Sequence, residues 1–408
     1  MTYLTRLVDP LLDTLLEAQP AVLMVGPRAA GKTTTALRRA ATTVRLDSRA
    51  EAGVFEADPD AALRGLPEPV LLDEWQEVPG VLGAVKRAID GDPRPGRFII
   101  TGSVRGDLTA STWPGTGRLV RVTLHAMAVR EQLGQVDKPM FFDRVVDDGL
   151  PSRIAEPPDL RGYVELALQG GFPAVFGQPE VIREAWLSSY VEQVLTRDAV
   201  ALGGLRDPAR IRRYLPAYAV TSAGTVADQT LLDASGLDRK TANAYERLLT
   251  DLFIVEPLPA WRSNRLQRLV HGAKRYVIDP SLLAAILRAD VDTVMSDDDL
   301  LGRLLDTFVV AQLRAELDTT RLRPVLYHVR EQHGRHEIDI LGEVRGNRVV
   351  GCEVKATASP RASDARHLAW LRDQLGTRFL RGVVFHTGPS IFSLGDKILA
   401  VPMAALWA

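Results

Sequence analysis

The sequence predicts an α/β chain with a mostly parallel, helix-covered sheet in its first 150 residues, a helical middle, and a second α/β unit at its end. Three observations predict it. Short apolar runs alternate with helical spacing between residues 21 and 124. From about residue 159 the spacing is helical alone, and a long amphipathic segment at 300–317 then leads a new series of apolar runs. Strand and helix in alternation imply parallel strands with crossover helices, and loss of the alternation marks the end of a sheet. With 408 residues and a 46% hydrophobic fraction the chain holds enough apolar surface for two or three cores.

Taken in order, residues 3–18 carry leucines at helical spacing, and 21–25 is a short buried strand ended by Gly26 and Pro27. A helix is expected over 32–41, strands over 43–46, 70–72, 97–101 and 119–124, and a helix over 81–89. Beyond the sheet, helices are expected at 163–168 and 181–200, interrupted by Gly170-Gly171-Phe172-Pro173. Helices at 228–235 and 238–252 flank Gly236-Leu237, and a strand pair at 253–257 and 275–278 follows. Helices followed by a hairpin suggest a winged helix. The last unit comprises the helix 300–317, strands 325–330, 337–343 and 349–355, a helix at 363–375 and a strand at 382–386.

Fifty basic and 51 acidic residues give a net charge of −1, so bulk electrostatics provide no general attraction to nucleic acid or anionic lipid. The only cysteine, Cys352, excludes an intrachain disulfide framework and a cysteine-based zinc site. No uninterrupted apolar run approaches membrane-spanning length, and a cytoplasmic setting without membrane partners is expected.

The segment Gly26, Pro27, Arg28, Ala29, Ala30, Gly31, Lys32, Thr33 satisfies G-x-x-x-x-G-K-[ST] between a strand and a helix, with Thr34 following. Backbone N–H groups of such a loop surround phosphates, the lysine reaches the β- and γ-phosphates, and the threonine hydroxyl ligates magnesium. ATP and Mg2+ are the expected ligands. Val70-Leu71-Leu72-Asp73-Glu74 is an apolar strand ending in two acids, with Asp73 suited to the magnesium ion and Glu74 to polarising the attacking water. A third strand ends in Thr101-Gly102-Ser103, where Ser103, or secondarily Thr101, would sense the γ-phosphate or position the water. Arg118 is a candidate arginine finger toward a neighbouring subunit, which would require a homo-oligomer.

These motifs, with Tyr3-Leu-Thr-Arg6 before them and Gly170 to Pro173 and residues 190–198 (YVEQVLTRD) after them, resemble the large bacterial and archaeal family of AAA-type ATPases whose C-terminal half is a domain of unknown function. The resemblance implies an AAA-like nucleotide-binding core. Trp75 stands where that family usually has a smaller aliphatic residue, and the segment 113–118 departs from its pattern.

Two constellations lie further on. Across 238–275, eight Lys or Arg face four acids, and the basic residues Arg262, Arg265 and Arg268 of the expected wing would suit DNA phosphates. An inter-domain or protein-binding module is the competing reading. Asp339, Glu353 and Lys355 have the spacing D-x13-E-x-K on two expected strands, which resembles the PD-(D/E)xK nuclease core, and Asp306 fills the place of its helix-borne acid. That resemblance implies a metal held by Asp306, Asp339 and Glu353, with Lys355 stabilising charge on a cleaved phosphodiester. His328, His333 and His336 are expected in a polar loop, and Met127 and Met140 in core packing. The expected organisation is an AAA-like ATPase core (1–150), a helical linker or lid (151–206), a winged-helix-like domain (207–295) and a nuclease-like, restriction-endonuclease-type domain (296–408). The chain would be an ATPase whose nucleotide state acts on a DNA-binding or nuclease-like region, or a nucleotide-dependent switch for a protein partner with cleavage lost.

Overall fold

The computed structural model describes residues 3–105, 116–198, 208–224, 228–261, 272–331 and 335–408. The chain forms two compact units. The first comprises residues 1–127 together with 172–174 and 250–254; the second holds the remainder.

In the first unit, β1 (Ala21–Val25), β2 (Thr42–Arg45), β3 (Val70–Asp73), β4 (Phe98–Gly102) and β5 (Val120–Thr123) form one sheet in the order β2-β3-β4-β1-β5. Every pairing is parallel. Both faces are covered, so β1 reads Ala-Val-Leu-Met-Val without polar alternation and every residue is buried. One face packs Leu23, Val25, Leu72 and Ile100 against the helix Val81–Gly91; the other packs Val22, Met24 and Val122 against Leu12 of the helix Asp9–Ala18. The register pairs Val25 with Gly102 and Leu72 with Ile100, so the last residues of β1, β3 and β4 meet at one edge.

Two helices are shorter than their spacing predicts. The first begins at Asp9, with Pro10 in its first turn where a missing N–H costs nothing, and residues 3–6 lie outside it. The second ends at Leu37, and soon after it the N–H groups of Ala41 and Thr42 are taken by the Pro69 carbonyl at the start of β2.

The second unit has helices Leu160–Gln169, Glu180–Gln193 (continued by a π turn, Val194–Asp198), Pro208–Val220, Asp228–Ser235, Pro280–Leu287, Val291–Ser296 and Asp298–Glu316. The helix Arg239–Asp251 runs from this unit into residues assigned to the first. Its sheet contains β6 (Val325–Arg330), β7 (Glu337–Val344), β8 (Arg348–Val354), β9 (Phe379–His386), β10 (Phe392–Gly395) and β11 (Ile398–Pro402), in the order β10-β11-β9-β8-β7-β6. β8 and β9 are parallel, joined through the helix Arg366–Leu375, which buries Leu368, Leu371 and Leu375 on the sheet. The expected strand pair at 253–257 and 275–278 is not a regular ladder. It consists of isolated bridges, Val255 with Val277 and Leu258 with Lys274, in a segment where Pro257 and Pro259 withhold two donors. The wing residues Arg262, Arg265 and Arg268 lie outside the described residues, as does Trp113.

Candidate nucleotide site and a buried lysine cluster

The edge where β1, β3 and β4 end carries the loop 26–33. Gly26 has φ +155°, and a Cβ there would come 2.1 Å from the Leu124 carbonyl oxygen. Backbone against backbone leaves no room to adjust, so this position requires glycine. Ala29 (φ +60°) and Gly31 (φ +96°) complete the tight path, Ala30 is buried, Arg28 is half-buried and Thr34 is exposed. The Lys32 ammonium, 5% exposed, donates to the carbonyls of Gly26 (3.0 Å) and Pro27 (2.8 Å). Burial pulls its pKa down to about 8, with Glu74 and Asp73 opposing and Arg28 adding to the fall.

Thr33 Oγ1 donates to both oxygens of Asp73, at 2.9 and 3.1 Å, and Thr101 Oγ1 donates to Asp73 Oδ1. Burial raises the Asp73 pKa against these hydroxyl bonds. Adjacent oxygens in an octahedral magnesium shell lie about 3 Å apart. The Thr33 and Asp73 oxygens already stand at that separation, so this donor pair fits Mg2+.

Glu74 follows β3 in a left-handed conformation, φ +55°, and its carboxylate accepts from Ser103 Oγ (3.0 Å) and from Gln76 Nε2. Its N–H approaches Thr101 Oγ1 at 3.4 Å. The two hydroxyls at the end of β4 are thus divided, Thr101 on Asp73 and Ser103 on Glu74. Trp75 is buried over Gly102, where a Cβ would lie 2.5 Å from the indole nitrogen.

Two residues to which the sequence motifs give no role support this site. Arg6, 3% exposed, donates from one nitrogen to the Ala30 carbonyl (2.7 Å) and from another to that of His125 (2.8 Å). Asp9 accepts the Arg6 N–H (2.7 Å), the Tyr3 hydroxyl (2.9 Å) and a salt bridge from Arg39 (3.0 Å). Gln76 is the second, two residues beyond Glu74. Arg118 is elsewhere. It precedes β5 at the opposite edge of the sheet, and its Nε donates to Asp90 (2.9 Å) on the surface. The fold does not bring it to the loop of its own chain.

In the second unit, Asp306, Asp339, Glu353 and Lys355 come together as their spacing predicts, but around another residue. Lys274 Nζ donates to Asp306 Oδ2 (2.5 Å) and Asp339 Oδ1 (2.9 Å), with its side chain 1% exposed. Tyr276 donates its hydroxyl to Asp306 Oδ1 (2.9 Å), the Val354 N–H reaches Asp339 Oδ2 (3.1 Å), and Lys355 Nζ reaches Glu353 Oε2 (3.0 Å). Burial opposes ionisation of Asp339, but Lys274 and Lys355 outweigh it and hold this carboxyl low. Burial, reinforced by Asp339, pushes Glu353 well above the ordinary range. Among the described residues no three His, Cys, Asp or Glu side chains are grouped to hold a metal. Lys274 thus stands between Asp306 and Asp339, two of the three residues expected to hold a metal.

His328 is not in a polar loop. It is buried on β6 with Nε2 2.8 Å from the Gly272 carbonyl. His336 stacks on Trp370, His333 lies outside the described residues, and Met127 is buried as expected.

The geometry at the first edge is that of a P-loop, and residues 18–133 match the family model described as AAA domain. Residues 160–293 and 301–406 match two families described as domains of unknown function, DUF8612 and DUF4143. The uncharacterized proteins Rv2008c of Mycobacterium tuberculosis and Mb2031c of Mycobacterium bovis are each similar over 392 residues at 29% identity, covering 95% of this chain and 81% of theirs. Among solved structures, the Walker-type ATPase paby2304 of Pyrococcus abyssi matches 69% of this chain and 94% of its own, with TM-score 0.44 and 14% identity. A likeness of that strength transfers neither fold nor activity. No helix among the described residues is long and apolar enough to cross a membrane.

Proposed function

We propose that this chain binds ATP with Mg2+ on the loop 26–34 and hydrolyses it. The observation that carries the reading is the pairing of Thr33 with Asp73 beside a Glu74 carboxylate fixed by Ser103 and Gln76. When bound, magnesium would be held by Thr33 and Asp73 and would offset phosphate charge. Lys32 would exchange the Gly26 and Pro27 carbonyls for the β- and γ-phosphates. Glu74 would take a proton from the attacking water as its oxygen bonds to the γ-phosphorus and ADP departs. Ser103 and Gln76 orient that carboxylate. A fluorescent ATP analogue should bind the wild-type chain in the presence of Mg2+ and fail to bind Lys32→Ala; equal binding by the two would defeat the reading. In this proposal Arg118 acts on the nucleotide of a second copy.

For the C-terminal region we infer a nuclease-like fold, supported by Asp339 on β7 beside Glu353 and Lys355. DNA contact through the helix Arg239–Asp251 and the segment after it remains part of the proposal, supported by local positive charge. A nucleotide-dependent switch acting on a protein partner is the second reading, favoured over cleavage by the position of Lys274.

A further inference from the structure

A carboxylate pair holds a hard divalent cation through oxygens that face it. In this cluster all four aspartate oxygens already accept a hydrogen bond, while Glu353 Oε1 has no hydrogen-bond partner. Asp306 spends Oδ2 on Lys274 and Oδ1 on Tyr276; Asp339 spends Oδ1 on Lys274 and Oδ2 on the Val354 N–H. Nor is the lysine easily withdrawn. Its own backbone is pinned in both directions to Leu258 (2.9 and 2.8 Å), and the neighbouring Tyr276 carbonyl accepts from the Glu256 N–H (2.9 Å). The ammonium is therefore delivered to the aspartates by fixed backbone, and its four-carbon stem is enclosed with it.

We infer that Lys274 is the resident cation of this site. It occupies the position between Asp306 and Asp339 that a divalent ion would need, and its three N–H donors satisfy the aspartates where a metal would demand a further set of oxygens. An entering dication would have to stand beside an ammonium, or expel it from a buried position at the cost of leaving that charge unpaired. The wild-type cluster accordingly takes no Mg2+ or Mn2+ and cuts no phosphodiester by a metal-assisted route. It instead ties the segment 272–279 to the helix Asp298–Glu316 and to β7. The same geometry makes the site latent, because removing the ammonium frees one oxygen on each aspartate. The link to cleavage rests on the nuclease-like reading above; the assignment of the cation rests on the contacts alone.

The test is Mn2+ binding followed by electron paramagnetic resonance on the full chain without nucleotide, in wild type, Asp339→Asn, Lys274→Met and Lys274→Met/Asp339→Asn. Wild type and Asp339→Asn should give the same isotherm. Lys274→Met should gain one site at least about tenfold tighter than any in wild type, a difference of about 1.4 kcal/mol, and the double variant should lose it. Mn2+ binding by wild type that Asp339→Asn removes would overturn the inference, as would a folded Lys274→Met without the gain. The wild-type comparison decides the question even where Lys274→Met does not fold. A gained Mn2+ site with no DNA cleavage would support the cation assignment and count against the nuclease-like reading.

Discussion

Arg6 offers the sharpest quantitative test of how the nucleotide loop is held. Its guanidinium spans the carbonyls of Ala30, inside the loop, and His125, just past β5. Arg6→Ala removes both bonds and the buried stem, leaving two backbone acceptors to find other partners. Hydrogen bonds from a charged donor contribute about 1.5–3 kcal/mol each, and since the two share one side chain we take about 3 kcal/mol for the pair. For a unit of this size that corresponds to a fall in Tm of roughly 6–12 °C. The loop should loosen with it, and ATP affinity should drop about tenfold or more, the equivalent of about 1.4 kcal/mol. Arg6→Lys should recover part of the stability, because one ammonium reaches one carbonyl but cannot fork between two. The assay is a thermal melt paired with a titration of a fluorescent ATP analogue. If Arg6→Ala melts within about 2 °C of wild type, a change near 1 kcal/mol or less, and binds equally well, the guanidinium does not hold the loop.

Three further outcomes follow from the same contacts. Gly26→Ala should abolish detectable ATP binding, since its Cβ meets the Leu124 carbonyl at 2.1 Å; binding near the wild-type level would contradict the backbone path. Ser103→Ala should leave ATP affinity within about threefold of wild type, a change under 1 kcal/mol, yet slow phosphate release about tenfold or more by freeing Glu74; a selective loss of affinity would instead place Ser103 on the nucleotide. Burial, with help from Lys274 and Arg330, pushes the His328 pKa down to about 4 from 6.5. Because the folded value is depressed, the unfolded chain binds more protons between these pH values, so stability is complete above about pH 6.5 and is lost as pH falls toward 4. The loss is on the order of 3 kcal/mol, and urea melts of His328→Gln should show a flatter acid limb; an unchanged limb would exclude His328 as its source.

Much of the first sheet and its site was legible because it depends on short-range order. The strand, glycine loop and lysine of residues 21–33 are contiguous, and Asp73 is marked by the apolar run it ends. What escaped the sequence acts at long range through atoms that carry no pattern. Arg6 ends the Tyr3–Arg6 stretch that carries the family resemblance, but its role does not show there: it binds carbonyls 24 and 119 residues away, and any residue type would supply those acceptors. Lys274 meets Asp306 and Asp339 across 32 and 65 residues, and its place in a basic stretch suggested an exposed phosphate contact instead of a buried pair. Spacing placed Asp339, Glu353 and Lys355 together correctly, but spacing cannot tell whether a metal or an ammonium sits between carboxylates. β10 and β11 were missed because Phe392–Gly395 and Ile398–Pro402 are short, and β10 pairs only with β11, which β9 joins to the sheet. The helical run expected from residue 3 failed at Pro10, which sets a start that leucine spacing does not reveal.

The central claim is that Glu74 is the base for ATP hydrolysis at a site that other residues assemble. The measurement that tests it most directly is phosphate release by Glu74→Gln alongside its affinity for ATP. Loss of a positioned general base costs about 10²–10⁴-fold in rate while the binding groups stay in place. The account predicts a fall in turnover in that range with affinity within about threefold of wild type. Undiminished turnover by Glu74→Gln would contradict it.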